Sequence, residues 1–201
     1  AIQANPDFSA AFNNRGHEYK KAVLYRKALQ DYQTAIKADP TNQLAYAHVA
    51  HNCIVEDHVI LANATQIAGE CVVEEYAATG GLVGVHQFCR IGAHAFVGAC
   101  SKVTQDILPY VTADGHPARP FGLNSTGLKR REFPSETISA LREHYRQIFL
   151  RGNSLKEAVE RLREVRSAEA TRILEFIENT DRGIARPRRA PDPPFRDDHP
   201  F

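Results

Sequence analysis

The sequence predicts a mixed fold in which a left-handed parallel β-helix lies between an N-terminal helical hairpin and a C-terminal α-helical segment. Three observations predict it: a six-residue repeat over residues 49–108, a longer period before that repeat, and apolar residues at helical spacing after it. We assign residues 1–43 to the hairpin, 44–122 to the β-helix, 123–185 to the helical domain and 186–201 to a tail.

The hairpin is predicted from a period of its own. The separation between Asn5-Pro6 and Asp39-Pro40 equals the period of tetratricopeptide repeats. Large and small residues alternate between them in the order of that repeat, at Phe12, Gly16, Tyr19, Ala28, Tyr32 and Ala35. Residues 9–42 therefore resemble one tetratricopeptide unit, with a peptide as its expected partner. Because one unit does not bury its apolar face alone, either further units precede it or the edge of the β-helix covers it.

Ten consecutive hexads from Val49 to Leu108 predict the β-helix. The first position is aliphatic in nine of the ten hexads, with Thr79 as the exception, and the fifth position is small or branched. An α-helix does not keep a six-residue period on one face, because its own period is about 3.6 residues. A triangular coil of three short strands does keep it, since each face turns one side chain inward and successive coils stack about 4.8 Å apart.

Cys53, Cys71 and Cys89 recur at every third hexad, so they are expected to stack on one inner face. A metal or redox column is the alternative interpretation. No Cys-x-x-Cys spacing is present, however, and free cysteine packs as a small hydrophobic residue. We therefore expect buried thiols, and neither a metal nor a cofactor.

The segment after the hexads changes character twice. An irregular connection is expected at Pro109, Gly115, Pro117, Pro120 and Gly122. Apolar residues at helical spacing then predict three helices. The first begins at Ser135, the second begins at Leu155 and includes Val165, and the third ends near Gly183. The tail holds five of the chain's 11 prolines and is predicted to be disordered.

Composition narrows the function classes. The net charge of +1 gives no reason to expect nucleic acid or an anionic membrane as a partner. No apolar run reaches the length of a membrane span, and no leader-like segment begins the chain, so we expect a cytoplasmic protein.

Candidate chemical groups cluster on and just after the hexads. They are His48, His51, His86, Gln87, Arg130 and Arg131. His51 and Gln87 are six hexads apart, which places them in one column of the β-helix. Imidazole suits a general base near neutral pH, and paired guanidinium groups suit a diphosphate. Because a prism of this kind has no interior cavity, the site is expected on its outer surface or between neighbouring prisms.

Seven short motifs follow one another along the chain. They are Ala47-His-Val-Ala-His-Asn-Cys53, Ile60-Leu-Ala-Asn63, Gly80-Gly81, Val85-His-Gln-Phe-Cys89, Ile91-Gly-Ala-His94, Pro120-Phe-Gly-Leu-Asn124 and Gly127-Leu-Lys-Arg-Arg131. In this order they resemble the bacterial acyl-(acyl-carrier-protein)–UDP-N-acetylglucosamine O-acyltransferases, which catalyse the first step of lipid A synthesis. The resemblance covers residues 44–186, and its fourth and seventh motifs are the most specific.

The resemblance implies a homotrimer that moves an (R)-3-hydroxyacyl chain from acyl carrier protein to the glucosamine 3-hydroxyl of UDP-N-acetylglucosamine, in clefts between prisms. It implies that His51 is the general base and that the Gly69 N–H is the oxyanion donor. Implied substrate contacts are His48, His86, Gln87, Asn124, Arg130 and Arg131. The implied acyl groove contains Gly81, Gly98 and Ala99, and the methyl group of Ala99 predicts a shorter acyl chain than a second glycine would select.

Three departures from the family pattern keep other functions open. Asn52 stands where the family often has Asp, and because an amide does not stabilise imidazolium as a carboxylate does, a weaker base is expected. Glu70 stands where the family commonly has His, and a carboxylate is unexpected there because it adds negative charge near an anionic substrate. The tetratricopeptide unit replaces coils that carry part of the nucleotide-sugar pocket. The alternatives are a non-catalytic tetratricopeptide binding module on a β-helix stub, an inactive gene fusion, a zinc hydrase on the same prism, and the related N-acyltransferase.

Overall fold

The computed structural model describes Thr34, residues 48–152 and residues 154–187. Apart from Thr34, the predicted hairpin lies outside the described residues, as does the predicted tail beyond Pro187.

Ten strands of two residues each wind through the described chain as a left-handed parallel β-helix with three faces. The first face consists of β1 (His48–Val49), β4 (Gln66–Ile67), β7 (Gly84–Val85) and β10 (Lys102–Val103). The second face consists of β2 (Ile54–Val55), β5 (Val72–Val73) and β8 (Arg90–Ile91). The third face begins with β3 (Ile60–Leu61), β6 (Ala78–Thr79) and β9 (Phe96–Val97).

The register of these strands confirms the hexad prediction. His48 pairs with Gln66, and Gln66 pairs with Gly84, so each coil takes three hexads and equivalent positions form columns along the prism. First-position side chains point inward, and Val73, Ile91 and Val97 are fully buried. Such a core derives its stability from aliphatic burial, about 25 cal/mol for each Å² removed from water.

The cysteine column lies inside the prism, and Cys71 and Cys89 are fully buried. The Cys71 thiol donates to the carbonyl oxygen of His86 at 3.1 Å. Burial is the main reason that the pKa of the Cys89 thiol rises to about 12. A thiol that stays protonated acts as a packed apolar group rather than as a nucleophile or a metal ligand.

Each coil turns at three corners, and the third residue of each corner has a positive φ. Residues 50–53, 68–71 and 86–89 form the first corner, between the first and second faces. At the second corner these third residues are rings, and His58, Tyr76, His94 and Tyr110 have φ between 57° and 68°. Consecutive rings stack with centroids 4.5, 5.0 and 5.5 Å apart. Stacking thus offsets part of the strain that a left-handed backbone costs a residue with a side chain.

His94 is the buried member of this ring column. It is 8% exposed, and its Nδ1 has no hydrogen-bond partner among the described residues. Burial is the largest cause, and the charge of Arg131 adds to it, so the pKa of His94 falls to about 4. Arg172 acts in the same direction and Glu75 in the opposite one.

Acidification is expected to destabilise the fold through His94. Since its folded-state pKa lies below the ordinary value of 6.5, the unfolded chain binds the proton more tightly, and stability is lost as pH falls from 6.5 toward 4. The His94→Phe variant keeps a stacked ring that does not titrate. We expect its free energy of unfolding, measured by denaturant titration, to lose about 3 kcal/mol less than the wild type between pH 7 and pH 4. An equal loss in both proteins would contradict this assignment, and the His144 contribution cancels because both retain it.

The sequence prediction of an irregular connection over residues 109–122 is wrong. These residues contain a hairpin of β11 (Val111–Gly115) and β12 (Ala118–Leu123). β11 pairs in parallel with β9, so the hairpin extends the third face. Proline and glycine cluster here because the hairpin turns at residues 116–117 and its edge strand tolerates Pro120.

The C-terminal segment forms four helices. They are α1 (Ser125–Arg130), α2 (Ser135–Phe149), α3 (Leu155–Arg163) and α4 (Ala168–Glu178). The sequence predicted α2 to α4 but not α1, and it extended α3 and α4 too far, since Val165 and Gly183 lie beyond their ends. The helices α2, α3 and α4 pack against one another. Each has a buried side chain, at Leu141, Leu162 and Phe176 respectively. Within the described part of the chain, no helix has the length and apolarity needed to cross a bilayer.

Candidate active site

The first corner brings His51 and Gly69 together. The ideal position for a Cβ atom on Gly69 is 2.5 Å from Cε1 and 2.6 Å from Nε2 of His51, so the imidazole occupies the space that any side chain at 69 would need. Gly69 carries no positive φ, so its role is to leave room rather than to relieve the backbone. The Gly69 N–H donates no hydrogen bond within the described residues. A base and an unpaired backbone donor therefore lie side by side.

Asn52 and Glu70 surround the other side of the imidazole. The Asn52 amide donates to Oε1 of Glu70 at 2.6 Å, and the same Oε1 lies 3.9 Å from Nδ1 of His51. The His51 side chain is 75% exposed and that of Glu70 is 40% exposed. The Glu70 carboxylate, which is unexpected from the sequence, thus lies beside the imidazole of the candidate base.

Gln87 continues the column above Gly69, as the spacing predicts. The Phe88 N–H donates to the Gly69 carbonyl at 3.2 Å, and the Glu70 N–H donates to the His51 carbonyl at 3.1 Å. His86 is exposed beside Gln87, with its Nδ1 3.1 Å from the Gln87 carbonyl oxygen.

An elongated groove of about 490 Å³ runs along the first face. His48 on the first face and His86 at the first corner line it, together with the apolar residues Ala50, Ala68 and Leu82. Ile67 and Val85 lie behind this lining, because their side chains point into the core. The groove therefore combines imidazole groups with small apolar surface.

Two basic residues of this groove, Lys102 and His116, were missed by the sequence analysis. Lys102 lies three coils above His48 on the same face, so the three-hexad spacing could have identified it. His116 follows the hairpin strand β11, and no spacing rule predicts its position.

A second pocket, of about 550 Å³, lies on the third face. Asn124, Arg130 and Arg131 line it together with Thr126, which the sequence analysis also missed. Arg130 is exposed at the end of α1. The structure therefore divides the predicted substrate contacts between two faces of one prism and does not bring these residues to His51.

Two of these pocket residues are also tied to their own chain. The Asn124 side chain accepts from the Gly127 N–H at 3.0 Å, which caps α1, and donates to the His94 carbonyl at 2.9 Å. The Arg131 guanidinium donates to the Tyr76 carbonyl at 2.8 Å and lies 5.2 Å from the centre of the Tyr76 ring. Arg130 has no such bond within the described part of the chain, so it is the guanidinium of the pair that is available to a ligand.

The predicted acyl-groove residues lie at the third corner, between the third and first faces. Gly81, Gly98 and Ala99 are neighbours of Leu82 and Cys100, which line the first-face groove, but they do not line it themselves. An ideal Cβ atom on Gly80 would lie 2.6 Å from the Ala99 backbone N, so consecutive coils are in close contact here.

No group of three or more His, Cys, Asp or Glu in the described residues has an arrangement that could hold a metal ion.

Family models match two parts of the chain. The model described as UDP-N-acetylglucosamine O-acyltransferase, domain 2, matches residues 106–185, and the tetratricopeptide repeat model matches residues 9–42. The second match confirms the repeat prediction for the N-terminal segment.

Curated relatives share the C-terminal part of the chain. The acyl-(acyl-carrier-protein)–UDP-N-acetylglucosamine O-acyltransferase of Thiobacillus denitrificans is 46% identical over 145 residues, which cover 71% of this chain and 56% of the relative. That of Burkholderia orbicola is 40% identical over 179 residues, which cover 86% of this chain and 68% of the relative. The chain thus spans between about half and two thirds of the length of these relatives.

Solved structures agree with the fold. UDP-N-acetylglucosamine acyltransferase from Francisella novicida superposes with a TM-score of 0.70 at 33% identity, over 71% of this chain and 53% of that one. The Moraxella catarrhalis UDP-N-acetylglucosamine O-acyltransferase gives a TM-score of 0.68 at 37% identity, over 70% of this chain and 55% of that one.

Proposed function

Because the chain belongs to the UDP-N-acetylglucosamine O-acyltransferase family, we propose that it moves an (R)-3-hydroxyacyl chain from acyl carrier protein to the 3-hydroxyl of UDP-N-acetylglucosamine. The observation that carries this proposal is the close approach of the His51 imidazole to Gly69, whose N–H donates no hydrogen bond within the described residues. Acyl transfer needs a base for the hydroxyl and a donor for the developing oxyanion, and both are available within one corner.

The proposed reaction uses only these groups. His51 takes the proton of the 3-hydroxyl as its oxygen attacks the thioester carbonyl carbon. The carbonyl oxygen becomes negative in the tetrahedral intermediate, where the Gly69 N–H donates to it. When the intermediate collapses, the C–S bond breaks, and the imidazolium returns its proton to the departing carrier thiol. The product ester and the free carrier thiol balance the reaction, with no covalent enzyme intermediate.

The division of contacts between two faces supports a homotrimer as the active form. A ligand beside His51 faces away from Arg130 of the same prism, because His51 lies at the first corner whereas Arg130 lines the pocket on the third face. When prisms are arranged around a threefold axis, the first face of one copy meets the third face of the next, and every cleft then holds both sets of residues. In this arrangement His48, His86 and Gln87 contact the sugar side, and Asn124, Arg130 and Arg131 from the neighbouring copy contact the nucleotide side.

The groove on the first face supports the binding of an acyl chain. Its apolar lining at Ala50, Ala68 and Leu82 offers contact to an alkyl chain, and in this proposal the third corner with Gly81, Gly98 and Ala99 closes its far end. Acyl carrier protein is the thioester donor, and a cytoplasmic location follows from that partner.

A transfer assay with subunit mixing tests both the reaction and the composite site. Purified chain, (R)-3-hydroxyacyl carrier protein and UDP-N-acetylglucosamine are expected to give the acylated nucleotide sugar. His51→Ala and Arg130→Ala variants are each expected to be inactive. After they are mixed under conditions that exchange subunits, activity is expected to return, because some clefts then combine intact His51 with intact Arg130.

Two results of this assay would contradict the proposal in different ways. Product from the wild type without recovery on mixing would reject the cleft between copies and retain the reaction. No product from a folded wild-type chain would favour a tetratricopeptide binding module on a β-helix stub. The match of the tetratricopeptide repeat model over residues 9–42 supports that second candidate.

A further inference from the structure

The first corner of this chain combines an amide and a carboxylate in stacked positions. Asn52 and Glu70 are the third residues of the corner in successive coils, with φ of 56° and 61°. Their side chains therefore leave the prism in one column, as the rings do at the second corner. This stacking explains why the Asn52 amide reaches Oε1 of Glu70 at 2.6 Å.

The Asn52 amide holds the Glu70 carboxylate against the candidate base. Oε1 of Glu70 lies 3.9 Å from Nδ1 of His51, and no other carboxylate of the described residues lies within 4.0 Å of a His51 nitrogen. Separations in ligand-free sites are often longer than hydrogen bonds and shorten when substrate binds. The Glu70 N–H donates to the His51 carbonyl at 3.1 Å, so the backbones of these two coils are held in register beside the ring.

We infer that Glu70 is the positioning residue of the proposed acyl transfer and that Asn52 is its clamp. This inference rests on the proposed function. A carboxylate at Nδ1 holds the proton there, which leaves the lone pair of Nε2 free to accept the hydroxyl proton. It also stabilises the imidazolium that forms during the reaction. The carboxylate thus comes from the coil above the base, and the residue beside the base supplies the amide.

Kinetics of three variants test the assignment. Glu70→Gln keeps the size and the hydrogen-bonding oxygen but removes the charge, so kcat is expected to fall about 10- to 100-fold with little change in KM for either substrate. The exchange variant Asn52→Asp/Glu70→Gln places the carboxylate on the neighbouring member of the pair and is expected to recover most of the loss. Asp57→Asn, which removes a charge from the next corner of the first coil, is the control and is expected to behave as wild type.

A spectroscopic readout separates this inference from the reaction itself. The ¹⁵N shifts of the His51 ring in the full chain are expected to report the Nδ1–H tautomer, and Glu70→Ala is expected to move the population toward Nε2–H. This arm decides the inference even if the wild type makes no product. An unchanged tautomer in Glu70→Ala would overturn it, as would a Glu70→Gln enzyme that keeps wild-type kcat or loses only KM.

Discussion

Replacing His51 with alanine is expected to lower kcat by about 10³- to 10⁴-fold without unfolding the chain. A general base contributes a factor of this order when no other group takes the proton. The His51 side chain is 75% exposed, so its removal opens no cavity in the core. The loss should therefore appear in turnover and not in the unfolding midpoint.

His58→Ala provides the matched control for this prediction. His58 is an exposed histidine of the same coil that lies at the second corner, stacked on Tyr76. We expect it to retain wild-type kcat under saturating concentrations of both substrates. If the His51 and His58 variants lost activity equally, or if neither did, His51 would not be the base.

Introducing a methyl group at Gly69 is expected to lower kcat by at least about 10²-fold. The new Cβ would lie 2.5 Å from Cε1 of His51, so the imidazole must leave its position, and misplacement of a catalytic group by about 1 Å has a cost of this size. Because Gly69 has no positive φ, alanine fits the backbone there, and the free energy of unfolding should change little.

A double-mutant cycle identifies the cause of that loss. If Gly69→Ala acts by displacing the ring, it should cost little further activity in a His51→Ala background. Gly122→Ala is the control, since a Cβ atom there meets nothing within 4 Å, and it should leave kcat unchanged. Full additivity of the two losses would contradict this cause and would mean that the new methyl group lowers kcat without displacing the ring, since alanine retains the backbone N–H.

The hexad period predicted the part of the site that lies on the prism, because counting in steps of three hexads converts sequence separation directly into columns. From this period alone, Gln87 is predicted to lie in the column of His51, and the structure places it there. The period ends at the last hexad, so it carried no information on where Arg130 would lie relative to that column. The position of Arg130 on the third face, away from the column of His51 and Gln87, depends on the hairpin and on α1. The sequence does not predict α1, because six residues are too few to show a helical apolar pattern.

The interpretation of Glu70 shows a different limit. From charge alone, a carboxylate beside an anionic substrate was unexpected, and Asn52 suggested a weaker base. Asn52 and Glu70 both occupy the left-handed position of consecutive coils, where side chains stack, and neither expectation takes this into account. A comparison made one position at a time does not show that these two residues are hydrogen-bonded to each other across one full coil.

The fixed register of the coils limits how this protein can change its length. Removing or adding one complete coil of three hexads keeps every column aligned, so the first corner would still present its residues on the same edge. A change of a single hexad keeps the inward pattern of aliphatic residues but rotates everything before it by one face. Gene rearrangements that preserve the geometry of the first corner are therefore restricted to the insertion or removal of whole coils.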